Sequence, residues 1–129
     1  MRVRKTLASA MALVSVPLAA PVADAAGPVG SYVLSVAPVG GVGRSVAATL
    51  WCGPDDGSQP NPVRACDQLR RVRGEVARLR ERPGPCTLEY APVRVSAHGA
   101  WNGRSRDYVR TYPNRCAAIR GTGGVLFNF

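Results

Sequence analysis

Four cysteines, at positions 52, 66, 86 and 116 of a 129-residue chain, constrain the fold more than any other feature. In an exported chain of this size they read as two disulfides, and the N-terminus points to export. Arg2, Arg4 and Lys5 precede an apolar run from Leu7 to Ala20, and Ala23-Asp24-Ala25 then offers small residues at the two positions a signal peptidase reads. Residues 1–25 are therefore expected to be a secretory signal and residues 26–129 one secreted, extracellular domain. A membrane anchor is the competing reading, but the run is short and interrupted by Pro17 and Pro21. No later stretch approaches membrane-spanning length.

Four cysteines allow three pairings. Cys52 with Cys66 and Cys86 with Cys116 is the simplest, each bridge contributing on the order of 3–4 kcal/mol by restricting the unfolded chain. Zinc would need closely paired cysteines or further histidines, and these spacings are wide while His98 stands alone. No metal or cofactor is expected.

Setting aside Arg2, Arg4, Lys5 and Asp24 from the 17 basic and 8 acidic side chains leaves 14 and 7, a net of +7. All the remaining cations are arginines. This charge could draw the protein to polyanions. The arginines are not interleaved with aromatics, however, and an exported protein seldom meets nucleic acid, so no nucleic-acid partner is expected. A cationic module binding anionic cell-surface polymers stays open as a second reading.

The pattern along residues 26–129 predicts an α+β domain. Tyr32 to Val36 and Arg44 to Trp51 read as a strand pair across the Gly40-Gly41 and Gly43 turn. Residues 53–62 hold three prolines, two glycines and two aspartates and must be a loop. From about Val63 to Glu81, Leu69, Val72, Val76 and Leu79 recur at helical spacing, while Arg70, Arg71, Arg73, Arg78 and Arg80 occupy mostly other faces. Pro83-Gly84-Pro85 stops this amphipathic helix. Val93 and Val95 alternate with polar residues, His98-Gly99 marks a turn, and Asn102-Gly103 a tight hairpin. Arg104 to Tyr112 and Val125 to Phe129 complete an antiparallel sheet of about five strands, with the helix covering one face.

Enzyme chemistry is weakly signalled. His98 has Ser96, Ser105 and Asp107 nearby in sequence, but nothing places them as nucleophile, base and orienter. The segment Cys86-Thr87-Leu88-Glu89-Tyr90-Ala91-Pro92 stands out more. It sets an apolar Leu88 in an exposed, proline-framed stretch close to a cysteine. Such a segment is either a structural crossover or an extended strand with little freedom left to lose on binding, the shape a protease inhibitor needs.

Cys52, Pro54, Gly57, Pro60, Ala65, Cys66, Asp67 and Leu69 stand at the spacings that surround the first disulfide of the Streptomyces subtilisin inhibitor family, with Gln59 where that family usually has His. Cys86, Tyr90, Pro92 and Val93 resemble its reactive-site segment. Trp101, Gly103, Tyr108, Asn114, Cys116 and the Phe127-x-Phe129 end extend the resemblance over nearly all of residues 31–129.

The resemblance implies a subtilisin-inhibitor-like domain over residues 26–129 that inhibits subtilisin-like and chymotrypsin-like serine proteases and is not an enzyme. It implies a reactive loop of Cys86, Thr87, Leu88, Glu89 and Tyr90, with Leu88 entering the protease specificity pocket and Leu88–Glu89 as the scissile bond. Thr87 stands where family members often have Pro. Asn114 is implied to support the loop from behind, the disulfides to be Cys52–Cys66 and Cys86–Cys116, and the protein to be a homodimer joined through the outer face of its sheet.

Overall fold

The computed structural model describes residues 9–20, 27–41 and 43–129. Of the expected secretory signal, residues 9–20 are exposed and without regular structure, while Arg2, Arg4, Lys5 and Ala23-Asp24-Ala25 lie outside the described residues. Among the described residues no helix is long and apolar enough to cross a membrane.

Alternating side chains build the sheet. Strand β1 (Gly30–Pro38) buries Tyr32, Leu34 and Val36 on one face and turns Ser31, Val33 and Ser35 to the other. It pairs antiparallel with β2 (Val46–Cys52) and with β3 (Val93–Trp101), and β3 pairs with β4 (Arg104–Tyr112), in the order β2-β1-β3-β4. The Asn102-Gly103 hairpin forms as expected: both residues have positive φ, 48° and 75°, which matches the twist of the flanking strands. The α+β class holds, with four strands among the described residues rather than five.

Three local expectations are overturned. His98-Gly99 does not turn but continues β3, where His98 lies opposite both Val33 and Asp107 and Gly99 opposite both Tyr32 and Arg106. Ladder partners on both sides outweigh the local turn preference.

The helix expected over residues 63–81 is shorter. Helix α1 (Pro62–Arg71) ends where Arg73 and Gly74 adopt φ of 53° and 77°, and the Gly74 amide reaches back to the Leu69 carbonyl at 2.8 Å. The buried Tyr32 hydroxyl donates to the Gly74 carbonyl at 2.7 Å and holds this reversal against the sheet. A single 3-10 turn, Val76–Arg78, follows. Leu69, Val76 and Leu79 still enter the core and Val72 packs against it, so the apolar spacing marked burial correctly although one continuous helix does not supply it.

Val125 to Phe129, expected as a strand, forms turns instead. Val125, Leu126 and Phe127 are buried, but the first two are held by a side chain rather than a strand: Gln59 Nε2 donates to Val125 O at 2.8 Å and to Leu126 O at 3.4 Å. A short apolar run cannot by itself distinguish ladder pairing from capture of this kind. The core between the sheet and this layer contains Leu34, Leu50, Leu69, Val95 and Phe127, all fully buried.

Candidate functional site

Residues 79–92 leave the 3-10 turn and run to β3 without regular structure. They fold over a second helix, α2 (Arg115–Gly121), which sequence periodicity did not reveal because it is only two turns long. Asn114 caps it by accepting from the Ala117 amide at 2.8 Å. Ala118 is buried beneath it, and the Thr122 hydroxyl donates to the Ala118 carbonyl at its end.

The loop spans a cleft of about 480 Å³, lined among others by Thr87, Glu89, Pro92, Val39 and Asn114, so discrete braces rather than packing hold it. Asn114 reaches across with Nδ2, donating to the Thr87 carbonyl at 3.2 Å and the Glu89 carbonyl at 2.9 Å. The same amide group therefore caps α2 with its oxygen and holds both sides of Leu88 with its nitrogen. Cys86 is bonded to Cys116 of α2 across 5.7 Å between Cα atoms. On the other side the Ala91 amide donates to Pro113 O, and the Pro92 carbonyl accepts from the Val39 amide, both at 2.9 Å.

Between these braces Leu88 is fully exposed and Tyr90 nearly so. An isobutyl group standing free in water loses the ~1.5–3 kcal/mol that burial would supply. The geometry thus presents Leu88 and the Leu88–Glu89 peptide outward on a restrained backbone.

A family described as subtilisin inhibitor-like matches residues 30–114. The chain belongs to the subtilisin inhibitor-like family. Subtilisin inhibitor-like protein 1 of Streptomyces cacaoi is 40% identical over 83 residues, covering 61% of this chain and 76% of that protein. Subtilisin inhibitor-like protein 7 of Streptomyces ambofaciens is 42% identical over 82 residues, covering 62% and 75%. The fold is similar to that of Streptomyces caespitosus sermetstatin, solved in complex with Bacillus licheniformis subtilisin, with a TM-score of 0.60 and 28% identity over 80% of this chain and 100% of that one. The family is one of inhibitors rather than enzymes.

Cys52 and Cys66 are bonded to each other in the core, 5.5 Å apart at Cα, and offer no thiolate to a metal; nearby Asp55 is paired with Arg70. Gln59, which departs from the family's usual histidine, is the buried clamp on Val125 and Leu126. Its burial could not be inferred from a loop rich in proline and aspartate.

His98, Asp107 and Ser105 do meet on the outer face of the sheet. His98 Nδ1 lies 3.1 Å from Asp107 Oδ1, and Ser105 Oγ donates to Asp107 Oδ2 at 3.2 Å. The hydrogen bond from His98, with a smaller one from Ser105, holds the Asp107 carboxyl below the usual carboxylate range. The serine thus addresses the carboxylate and not the imidazole, and Ser96 pairs with Ser35. This arrangement activates no nucleophile.

Nor do the arginines of residues 70–80 form one cationic face. Arg70 pairs with Asp55 and, at 2.8 Å, with Asp67, while Arg78 lies 3.1 Å from Glu75. The break at Gly74 places Arg70 and Arg71 on a different element from Arg78. The polyanion-binding reading loses its basis.

Proposed function

We propose that the protein is a secreted inhibitor of subtilisin-like and chymotrypsin-like serine proteases, acting through the Leu88–Glu89 bond. What carries the reading is Asn114, whose single side-chain amide holds the carbonyls on both sides of Leu88 while leaving that side chain free. Family membership and the subtilisin-bound relative support the same reading.

The loop would bind as a substrate does, with Leu88 in the primary pocket and the protease serine attacking the Leu88 carbonyl. Attack breaks the bond from Leu88 carbon to Glu89 nitrogen, the protease histidine passing the serine proton to the departing amine. In an ordinary substrate that amine diffuses away. Here Glu89 remains held by Asn114, and Ala91 by Pro113. The amine's effective concentration beside the acyl-enzyme stays high, and the peptide re-forms before water enters. A braced backbone also reduces the ordering cost of association.

Residues 1–25 would direct export and be removed. The outer sheet face, where Val33, Val109 and Trp51 are exposed, would join two copies in a homodimer. Titration of the purified protein against subtilisin, chymotrypsin and trypsin tests the reading. Stoichiometric inhibition of the first two, with slow cleavage mapped to Leu88–Glu89, is expected. Cleavage elsewhere, or no inhibition, would overturn it.

A further inference from the structure

We infer that Arg120 is a positioning residue, a brace on the stretch that leads into Leu88 and separate from Asn114. Its geometry stands alone; its consequence for inhibition rests on the function proposed above. Arg120 Nη1 donates to the Pro83 carbonyl at 2.9 Å. The main-chain carbonyl of Arg120 accepts from the Arg82 amide at 2.8 Å. Gly84 lies directly against the guanidinium: a Cβ there would stand 2.0 Å from Nη1 and 2.4 Å from Cζ, and its φ of 153° is one that L side chains rarely adopt. One arginine thus engages three successive residues.

Pro83-Gly84-Pro85 explains why a side chain must do this. Two of its three residues lack an N–H, so the segment cannot be held by a backbone ladder. Its carbonyls remain as handles, and they need a donor. A guanidinium suits the task because it never loses its proton and presents its N–H groups in a fixed plane, against which the bare Gly84 backbone can lie.

Helix α2 consequently acts as a splint with three attachments. Asn114 at its N-cap holds Thr87 and Glu89, Cys116 in its first turn holds Cys86, and Arg120 in its last turn holds Pro83. Without the Arg120 side chain, nothing would hold residues 83–85 between the Arg82 amide, still bonded to the residue-120 main-chain carbonyl, and the disulfide, only two residues from Leu88. The segment before it could then pivot, and the acyl side of a cleaved Leu88–Glu89 bond would lose alignment with the waiting amine.

Arg120→Ala and Arg120→Lys, made with both disulfides formed, test this by two readouts. Backbone ¹⁵N relaxation in the free protein should show Gly84, Cys86 and Thr87 more mobile in Arg120→Ala, with Tyr90 and Ala91 unchanged. Cleavage of Leu88–Glu89 by subtilisin should quicken about tenfold, the scale of one lost charged hydrogen bond, and Arg120→Lys should recover part of both effects. If Arg120→Ala does not fold, Gly84→Ala displaces the guanidinium instead and should give the same two changes. Unchanged relaxation at 84–87 would overturn the brace, and a loosened segment cut no faster would overturn its role in inhibition. A native protein that inhibits nothing, while Arg120→Ala still loosens residues 84–87, would sink the inhibitory reading and leave the brace standing.

Discussion

Two proline-containing loops of this protein, residues 53–61 and 83–92, each adjoin a disulfide and are built in opposite ways. The first folds back on the strand it leaves. Trp51 and Asp56 exchange both backbone hydrogen bonds, the Gln59 amide donates to Thr49 O at 3.0 Å, and Ser58 Oγ accepts from the Thr49 amide at 2.9 Å. Its bridge, Cys52–Cys66, is fully buried. The second loop finds its partners far along the chain, at Val39, Pro113, Asn114, Cys116 and Arg120. One loop closes the core. The other is held at arm's length from it, so that its side chains stay available to something else.

Changing Leu88 should break that contrast most sharply. A trypsin-like pocket holds a buried carboxylate that Leu would leave unpaired, so Leu88→Arg should improve trypsin inhibition by roughly a hundredfold or more. Leu88→Asp should weaken binding to subtilisin, while Ser58→Arg in the other loop should alter neither profile. Inhibition constants for the three variants check this, and an unaltered profile in Leu88→Arg would place the reactive bond elsewhere.

Removing the disulfides separates stability from display. Replacing Cys52 and Cys66 together by Ser should cost about 3 kcal/mol and replacing Cys86 and Cys116 about 3.5 kcal/mol, from the lengths of the loops they close. Only the second pair should also convert the inhibitor into a readily cut substrate. Urea unfolding and cleavage assays on the same samples distinguish the two outcomes.

Asn114 sharpens the contrast further, because it serves helix and loop at once. Asn114→Ala should lose about 1 kcal/mol of helix capping and be cleaved faster. Asn114→Asp keeps the capping oxygen but turns an acceptor toward the Thr87 and Glu89 carbonyls. It should retain most of the thermal stability and still be cleaved faster. Equal effects of both substitutions on stability would show that the cap and the brace are not separable.

In the first loop, Gln59→Ala removes the side-chain donor to Leu126 O and one of the two donors to Val125 O, which keeps the Asn128 amide, and should cost about 1–3 kcal/mol, with inhibition by the folded protein unchanged. Alkaline pH should act more mildly on the core. Burial pushes the Tyr32 hydroxyl up to about 12 from its ordinary value near 10, so the unfolded chain ionises first. That stability is complete below pH 10 and is lost as pH rises from 10 through 12. Unfolding midpoints across this range, flattened in Tyr32→Phe, are the check.

What the sequence determined by itself was whatever neighbours along the chain decide. Apolar runs beside a glycine turn placed β1 and β2, the alternation at Val93 and Val95 placed the start of β3, Asn102-Gly103 placed the hairpin between β3 and β4, and the spacing of Leu69, Val72, Val76 and Leu79 marked a buried stripe. Spaced residues from Cys52 to Leu69 and from Cys86 to Val93 carried the family resemblance, since a spacing survives without knowledge of contacts. Tertiary structure alone decided the rest. It broke the helix at Gly74, where the Tyr32 hydroxyl lies 42 residues away, and held the C-terminal run to Gln59, 66 residues away. It also brought Arg120 beneath Pro83, across 37 residues. Each of these rests on a side chain hydrogen-bonding to distant backbone, which leaves no periodicity to read and forms only after the chain has closed around its core.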